Sequence, residues 1–124
     1  MKLREIAHSR TGDKGDTSNI SVIAFDERDF PVLTRHVTAE RVRALFESLV
    51  QGEVVRYELP NIGALNFVLR GALGGGVTRS LALDPHGKAL SSAVLDLDIP
   101  DNEQVFGRRS PDTTDSTRRI TWRN

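Results

Sequence analysis

The sequence predicts a two-layer α+β domain, with a mostly antiparallel sheet and two main helices on one of its faces. Three observations predict it. Short segments of alternating or near-continuous apolar character recur, as at residues 18–25 and 54–59. Two longer segments, 38–52 and 61–73, space apolar residues as helices do. Clusters of glycine, proline and aspartate punctuate the chain between them. The 124 residues suit one domain, large enough to bury a core without covalent staples.

The elements follow in order. Residues 3–9 read as a first strand, and residues 10–17 as a polar, glycine-bearing loop. Residues 18–25 read as a central strand, with Ile20, Val22 and Ala24 on one face and Ile23 and Phe25 on the other. Residues 30–36 form a short helical turn with Pro31 at its start. Thr38 is the N-cap of a helix carrying Val42, Leu45, Phe46, Leu49 and Val50, and Gly52 is placed to end it. The strand at 54–59 points Val55, Tyr57 and Leu59 inward and Arg56 and Glu58 outward. Pro60 ends it, and Asn61 caps a second helix carrying Ile62, Leu65, Phe67, Val68, Leu69, Ala72 and Leu73. Gly74-Gly75-Gly76 stops that helix. Residues 79–84 and 88–99 read as a hairpin around Asp84-Pro85-His86-Gly87. Strand, strand, helix, strand, helix, strand, strand matches a two-layer sandwich of ferredoxin-like type. The body spans 1–98, and a polar tail spans 99–124, either flexible or docked on a neighbour through Trp122.

Composition narrows the function. With no cysteine, a disulfide framework, a thiolate metal site and a cysteine nucleophile are excluded. Lysine plus arginine equals aspartate plus glutamate, 17 against 17, which argues against nucleic-acid binding. Met1-Lys2-Leu3-Arg4-Glu5 does not resemble a signal peptide, and no apolar run approaches a membrane span. The expected location is cytoplasmic. Neutral net charge favours self-association, so a homo-oligomer is expected.

Arg10, Asp13, Lys14, Asp16 and Asn19 crowd into the first polar loop with Gly12 and Gly15. Converging backbone N–H groups and the basic pair suit a phosphate or carboxylate, or a partner. The other reading is a tight connection in which Asp and Thr bond their own backbone. The Walker spacing and the EF-hand pattern are both absent. Asn66, beside an apolar stripe, must bond backbone, water or ligand. Arg79, after the triple glycine, is a further anion or partner contact. His8, His36 and His86 are scattered, so no metal site is expected, a set of His8 with Asp13 and Asp16 being the weaker alternative. Ser9 or Ser18 with His8 and Asp13 makes a catalytic triad only on paper. The catalytic residues stay unassigned, and no cofactor is expected.

Several stretches taken together carry a resemblance. They are His8-Ser9-Arg10-Thr11-Gly12-Asp13-Lys14-Gly15-Asp16-Thr17-Ser18-Asn19, Arg56-Tyr57-Glu58-Leu59-Pro60-Asn61 with Ala64-Leu65-Asn66-Phe67, Ala72 to Leu81, and His86 to Ser92. They run in order over about residues 3–97, and the chain resembles the small ferredoxin-fold domain of acyclic-terpene-utilisation (AtuA-like) proteins. The resemblance implies a ferredoxin-like fold and a larger AtuA-like protein as partner. It also implies a setting in the breakdown of branched terpenoid acids through coenzyme A thioesters. It carries no catalytic assignment. The leading reading is therefore a non-catalytic binding or assembly module. The alternative is an enzyme or enzyme subunit acting on an acyl-CoA or branched carboxylic acid. There Arg10 and Lys14 would hold the anion, Asp13 or Asp16 would act as base, and Asn66 would bond a carbonyl oxygen.

Overall fold

A computed structural model describes residues 1–14, 17–47, 52–70 and 89–109. Four antiparallel strands form one sheet in the order β1-β2-β4-β3, with β1 at Ala7–Lys14, β2 at Thr17–Ala24, β3 at Val54–Leu59 and β4 at Ala64–Arg70. The helices α1 (Phe30–His36), α2 (Ala39–Leu45) and α3 (Ala89–Val94) pack on one side of it. This is the ferredoxin-like α+β sandwich expected from the sequence, reached with a different order of elements.

The core lies between those helices and the sheet. Ile20 and Val22 of β2 are fully buried, as the alternation required, and they stand opposite Phe67 and Leu65 of β4. Leu69, Leu33, Val37, Val42, Leu90 and Val94 complete the core with Leu3, Ile6 and Ile99. Burying each large apolar side chain contributes about 1.5–3 kcal/mol. Thr38 caps α2, its hydroxyl accepting the Arg41 N–H at 3.1 Å. Pro31 sits in the first turn of α1.

Several elements differ from expectation. Residues 3–5 are a 3-10 turn, and β1 runs on through the stretch read as a loop, from Ala7 to Lys14. Polar residues form this strand because β2 supplies its backbone partners from Ala7 opposite Ala24 to Lys14 opposite Thr17. The segment read as a second helix is instead strand β4. Leu65, Phe67 and Leu69 are each fully buried at period two, which a strand between two others satisfies. Gly63 makes the reversal into β4, at φ +64° with its N–H on Pro60 O at 3.1 Å. That left-handed backbone is one only glycine takes without cost.

The faces of β3 are reversed. Arg56 turns towards the helices, and its guanidinium donates to Thr34 O (2.9 Å) and Val37 O (3.0 Å), carbonyls at the end of α1. A cation is favourable at such an end. Val55, Tyr57 and Leu59 consequently share the other face. α2 stops at Leu45, which is exposed, and Gly52 donates its N–H to Arg70 O instead of ending a helix. Residues 89–94 form α3 where a strand was expected, since Leu90 and Val94, one turn apart, both reach the core. The expected ends at Leu49 and Val50, the triple glycine, the strand at 79–84, the turn with His86 and the tail beyond 109 lie outside the described residues.

Residues 99–109 run back over the body. Met1 and Ile99 exchange backbone bonds at 2.9 and 2.7 Å. Glu103 accepts two bonds from Arg35, at 3.1 and 2.6 Å, and contacts His36 Nε2. Asp29, fully buried, accepts the N–H groups of Phe106 (2.8 Å) and Gly107 (2.9 Å). The Arg35 guanidinium, then the His36 ring, hold the Glu103 carboxyl down to about 2 from its ordinary 4.5.

Two predictions concern this strap. Asp29→Ala should cost about 1.5–3 kcal/mol in urea unfolding, the value of charged hydrogen bonds lost from buried donors. A cost near zero would mean the strap does not hold the body. The ordinary Glu103 contact is present above pH 4.5 and should weaken as pH falls from there towards about 2. Amide exchange at residues 103–107 should rise over that range, and Glu103→Gln should flatten the profile. An unchanged profile in the variant would assign the transition to other carboxylates.

Candidate functional site

The face of the sheet turned away from the helices is the candidate site. Antiparallel register sets its rows. His8, Ile23, Ala64 and Leu59 make one row, Arg10, Ser21, Asn66 and Tyr57 the next, and Gly12, Asn19, Val68 and Val55 a third. Tyr57, Leu59 and Ile62 are 48%, 42% and 58% exposed. Such a cluster of apolar side chains outside the core is unlike scattered single exposures.

A polar row therefore crosses a largely apolar face. Arg10 stands exposed at one end, and among the described residues its guanidinium has no hydrogen-bond or ion partner. Next to it comes Ser21, whose Oγ accepts a bond from Asn66 Nδ2 at 2.9 Å. Arg10 and Asn66 are two strands apart, about 10 Å between backbones. A concavity of about 370 Å³ opens beside the row, lined by Arg10, Thr11, Gly12, Asn19, Ser21, Ile23, Leu59, Ile62 and Ala64.

Gly12 serves this face differently from its expected role in a nest. It lies inside β1 opposite Asn19, and a Cβ there would come within 3.3 Å of Asn19 Oδ1. Its lack of a side chain makes room for the Asn19 amide. At the rim, His8 stacks on Phe25 with ring centroids 5.4 Å apart, and the Arg109 guanidinium lies 4.3 Å from the same Phe25 ring centroid. The strap thus reaches the edge of this face.

Of the residues chosen from the sequence, Arg10, Asn19 and Asn66 come together here. Asp13 and Lys14 occupy register positions opposite Ser18 and Thr17 at the end of the β1–β2 pair. Asp16 and Arg79 lie outside the described residues. The Ser9 and Ser18 hydroxyls are bonded to Ser91 O (2.9 Å) and Gly12 O (3.1 Å), so neither is set up as a nucleophile. Among the described residues no group of three or more His, Asp or Glu is placed to hold a metal. Sequence reasoning missed Ser21, Tyr57, Leu59 and Ile62. Alternation in β3 correctly put Tyr57 and Leu59 on one face, but that face was read as inward and is in fact the exposed one.

A sequence model of the AtuA ferredoxin-like domain matches residues 1–100. The chain belongs to that family. No curated protein and no solved structure matches it. In this AtuA ferredoxin-like domain the matched span ends as the strap begins, and it includes every element of the sheet and the whole candidate face. Among its described residues no helix is long and apolar enough to cross a membrane.

The two polar roles on the face separate by mutation. Asn66→Ala should lower stability by about 0.5–1.5 kcal/mol, the worth of one ordinary hydrogen bond. Phe67→Ala, on the opposite side of the same strand, should cost about 3–5 kcal/mol. Equal costs in chemical denaturation would place Asn66 in the core and remove it from the candidate site.

Proposed function

We propose that this chain is a non-catalytic binding or assembly module that works beside an AtuA-like large protein in the cytoplasm, and that its open sheet face is the docking surface. The proposed setting, breakdown of branched terpenoid acids as coenzyme A thioesters, is supported by the resemblance alone. The observation that carries the reading is Tyr57, Leu59 and Ile62, three large apolar side chains exposed together on a sheet face to which no described helix packs. An antiparallel sheet tolerates one wet face, but such a face is normally polar. Apolar groups here are best explained by a protein surface that covers them, either the large partner or a second copy of the chain.

A second reading has one observation in its favour. An Arg10 guanidinium with no ion partner among the described residues, beside a concavity, suits an enzyme subunit that holds an acyl-CoA or a branched carboxylic acid. It ranks second because Asn66, its expected carbonyl contact, already donates its amide to Ser21 Oγ.

Leu59→Asp with Ile62→Asp should leave the fold intact, since both positions are exposed. It should weaken co-purification with an AtuA-like large protein, or self-association, by about tenfold or more, the effect expected for charge placed in an interface core. If the doubly substituted chain associates as the parent does, in sedimentation and in pull-down, docking through this face is refuted.

A further inference from the structure

We propose that residues 110–124, beyond the described span, are an occupant of the open face within the same chain. Ile120 and Trp122 cover the exposed cluster of Tyr57, Leu59 and Ile62, Asp112 and Asp115 answer Arg10, and the segment competes with a partner for this surface. The inference rests on the reading of the open face as a docking surface and concerns its regulation.

The place where the segment starts is the first argument. The strap brings the chain to the rim of this face. There Arg109 donates its N–H to Glu5 O at 2.6 Å and sets its guanidinium 4.3 Å from the Phe25 ring centroid. Phe25 stacks on His8, and His8 begins the row that runs through Ile23 and Ala64 to Leu59. Three strand spacings, about 14 Å, separate the two ends of that row. The stretch from Arg109 to Ile120 spans up to about 36 Å when extended, so the apolar cluster is within its reach. The tether also decides between occupants. A segment joined to the face by a short linker acts at an effective concentration of about millimolar, and it outcompetes a second copy of the chain in dilute solution.

Composition is the second argument. Residues 110–117 carry Asp112 and Asp115 and no cation. This is the stretch that passes Arg10, one row in from His8. The Arg10 guanidinium has no hydrogen-bond or ion partner among the described residues, whereas Arg4, Arg28, Arg35, Arg56 and Arg108 each pair with a carboxylate. The concavity beside it has no carboxylate in its described lining, so an acidic segment is complementary to it. Large apolar residues return only at Ile120 and Trp122. They stand two apart, the spacing that puts both side chains on one side of an extended segment. A tryptophan and an isoleucine match in kind the apolar groups that lie exposed on the face. The family match ends at residue 100, so this segment lies outside what the domain has in common with its family.

The test uses the full chain, with its one tryptophan as the probe. Acrylamide should quench Trp122 about threefold or more less efficiently than it quenches a synthetic peptide of residues 110–124, since docking takes the indole out of solvent. Emission should lie to the blue of the peptide's, and both readings should persist over about a hundredfold dilution, as an intramolecular contact requires. Leu59→Asp with Ile62→Asp should restore peptide-like quenching. Arg10→Gln, and separately Asp112→Asn with Asp115→Asn, should move it part of the way. Lys2→Gln, an exposed cation paired with Asp98, should change nothing. Trp122→Ala should tighten association with an AtuA-like large protein by about tenfold, the gain when a competitor that fills about nine-tenths of the faces is removed. Peptide-like quenching in the parent chain overturns the proposal. So does protection of Trp122 that survives Leu59→Asp with Ile62→Asp, and so does protection lost on dilution, which would assign the segment to a second copy. A Trp122→Ala chain that associates no more tightly than the parent overturns the competition. Failure of the quenching tests leaves the docking reading standing, because association with the partner is measured separately.

Discussion

The pairing of β2 with β4 is the contact on which the other elements rest. Ile20 meets Phe67 and Val22 meets Leu65 across it, and all four side chains are fully buried. Both strands are internal, so each gives its backbone groups to two neighbours and leaves few to satisfy elsewhere. Their buried residues fall on one side only. α1, α2 and α3 must therefore gather on that side, and the opposite face is left without a helical layer among the described elements. One-sided burial is thus the cause both of the two-layer sandwich and of the surface available for binding.

Around this pair the chain is fastened by polar contacts whose placement follows from burial. Asp29 is a carboxylate with no exposed surface, and two backbone N–H groups compensate its charge. Arg56 is a cation on the core-facing side of an edge strand, admitted there because it satisfies the last carbonyls of α1. Glu103 gathers Arg35 and His36 at the start of the strap. Surface ion pairs such as Lys2–Asp98 add little by comparison, about 0–1 kcal/mol each. The strap and the amino terminus are consequently held by a few buried or backbone-directed bonds and not by the number of charges.

The open face gives the family membership a physical content. A Ser21–Asn66 bond and an Arg10 guanidinium with no ion partner among the described residues form one row, and a glycine clears space for Asn19 in the next. The concavity runs along this face from Gly12 and Asn19 to Leu59 and Ile62, so it shares its apolar wall with the exposed patch. None of Arg10, Tyr57, Leu59 or Ile62 belongs to the core, so the fold does not depend on what this face does.

Local chemistry in the sequence was enough to determine the α+β class, the central strand β2, the α1 turn with Pro31 and the Thr38 cap. Each depends on neighbours a few residues away. The same reading found Arg10, Asn19 and Asn66 as residues of interest, because glycine, basic and amide groups are unusual where they stand. Tertiary structure alone decided that residues 64–70 are a strand and residues 89–94 a helix. Leu65, Phe67, Leu69 and their neighbours are apolar in a run that either geometry can bury, and only flanking strands supply the hydrogen bonds that favour the extended one. It also decided which side of β3 faces the core. Period two in a strand says which residues share a face, and the choice between the faces belongs to the layer that packs against them, here through the reach of Arg56 to α1.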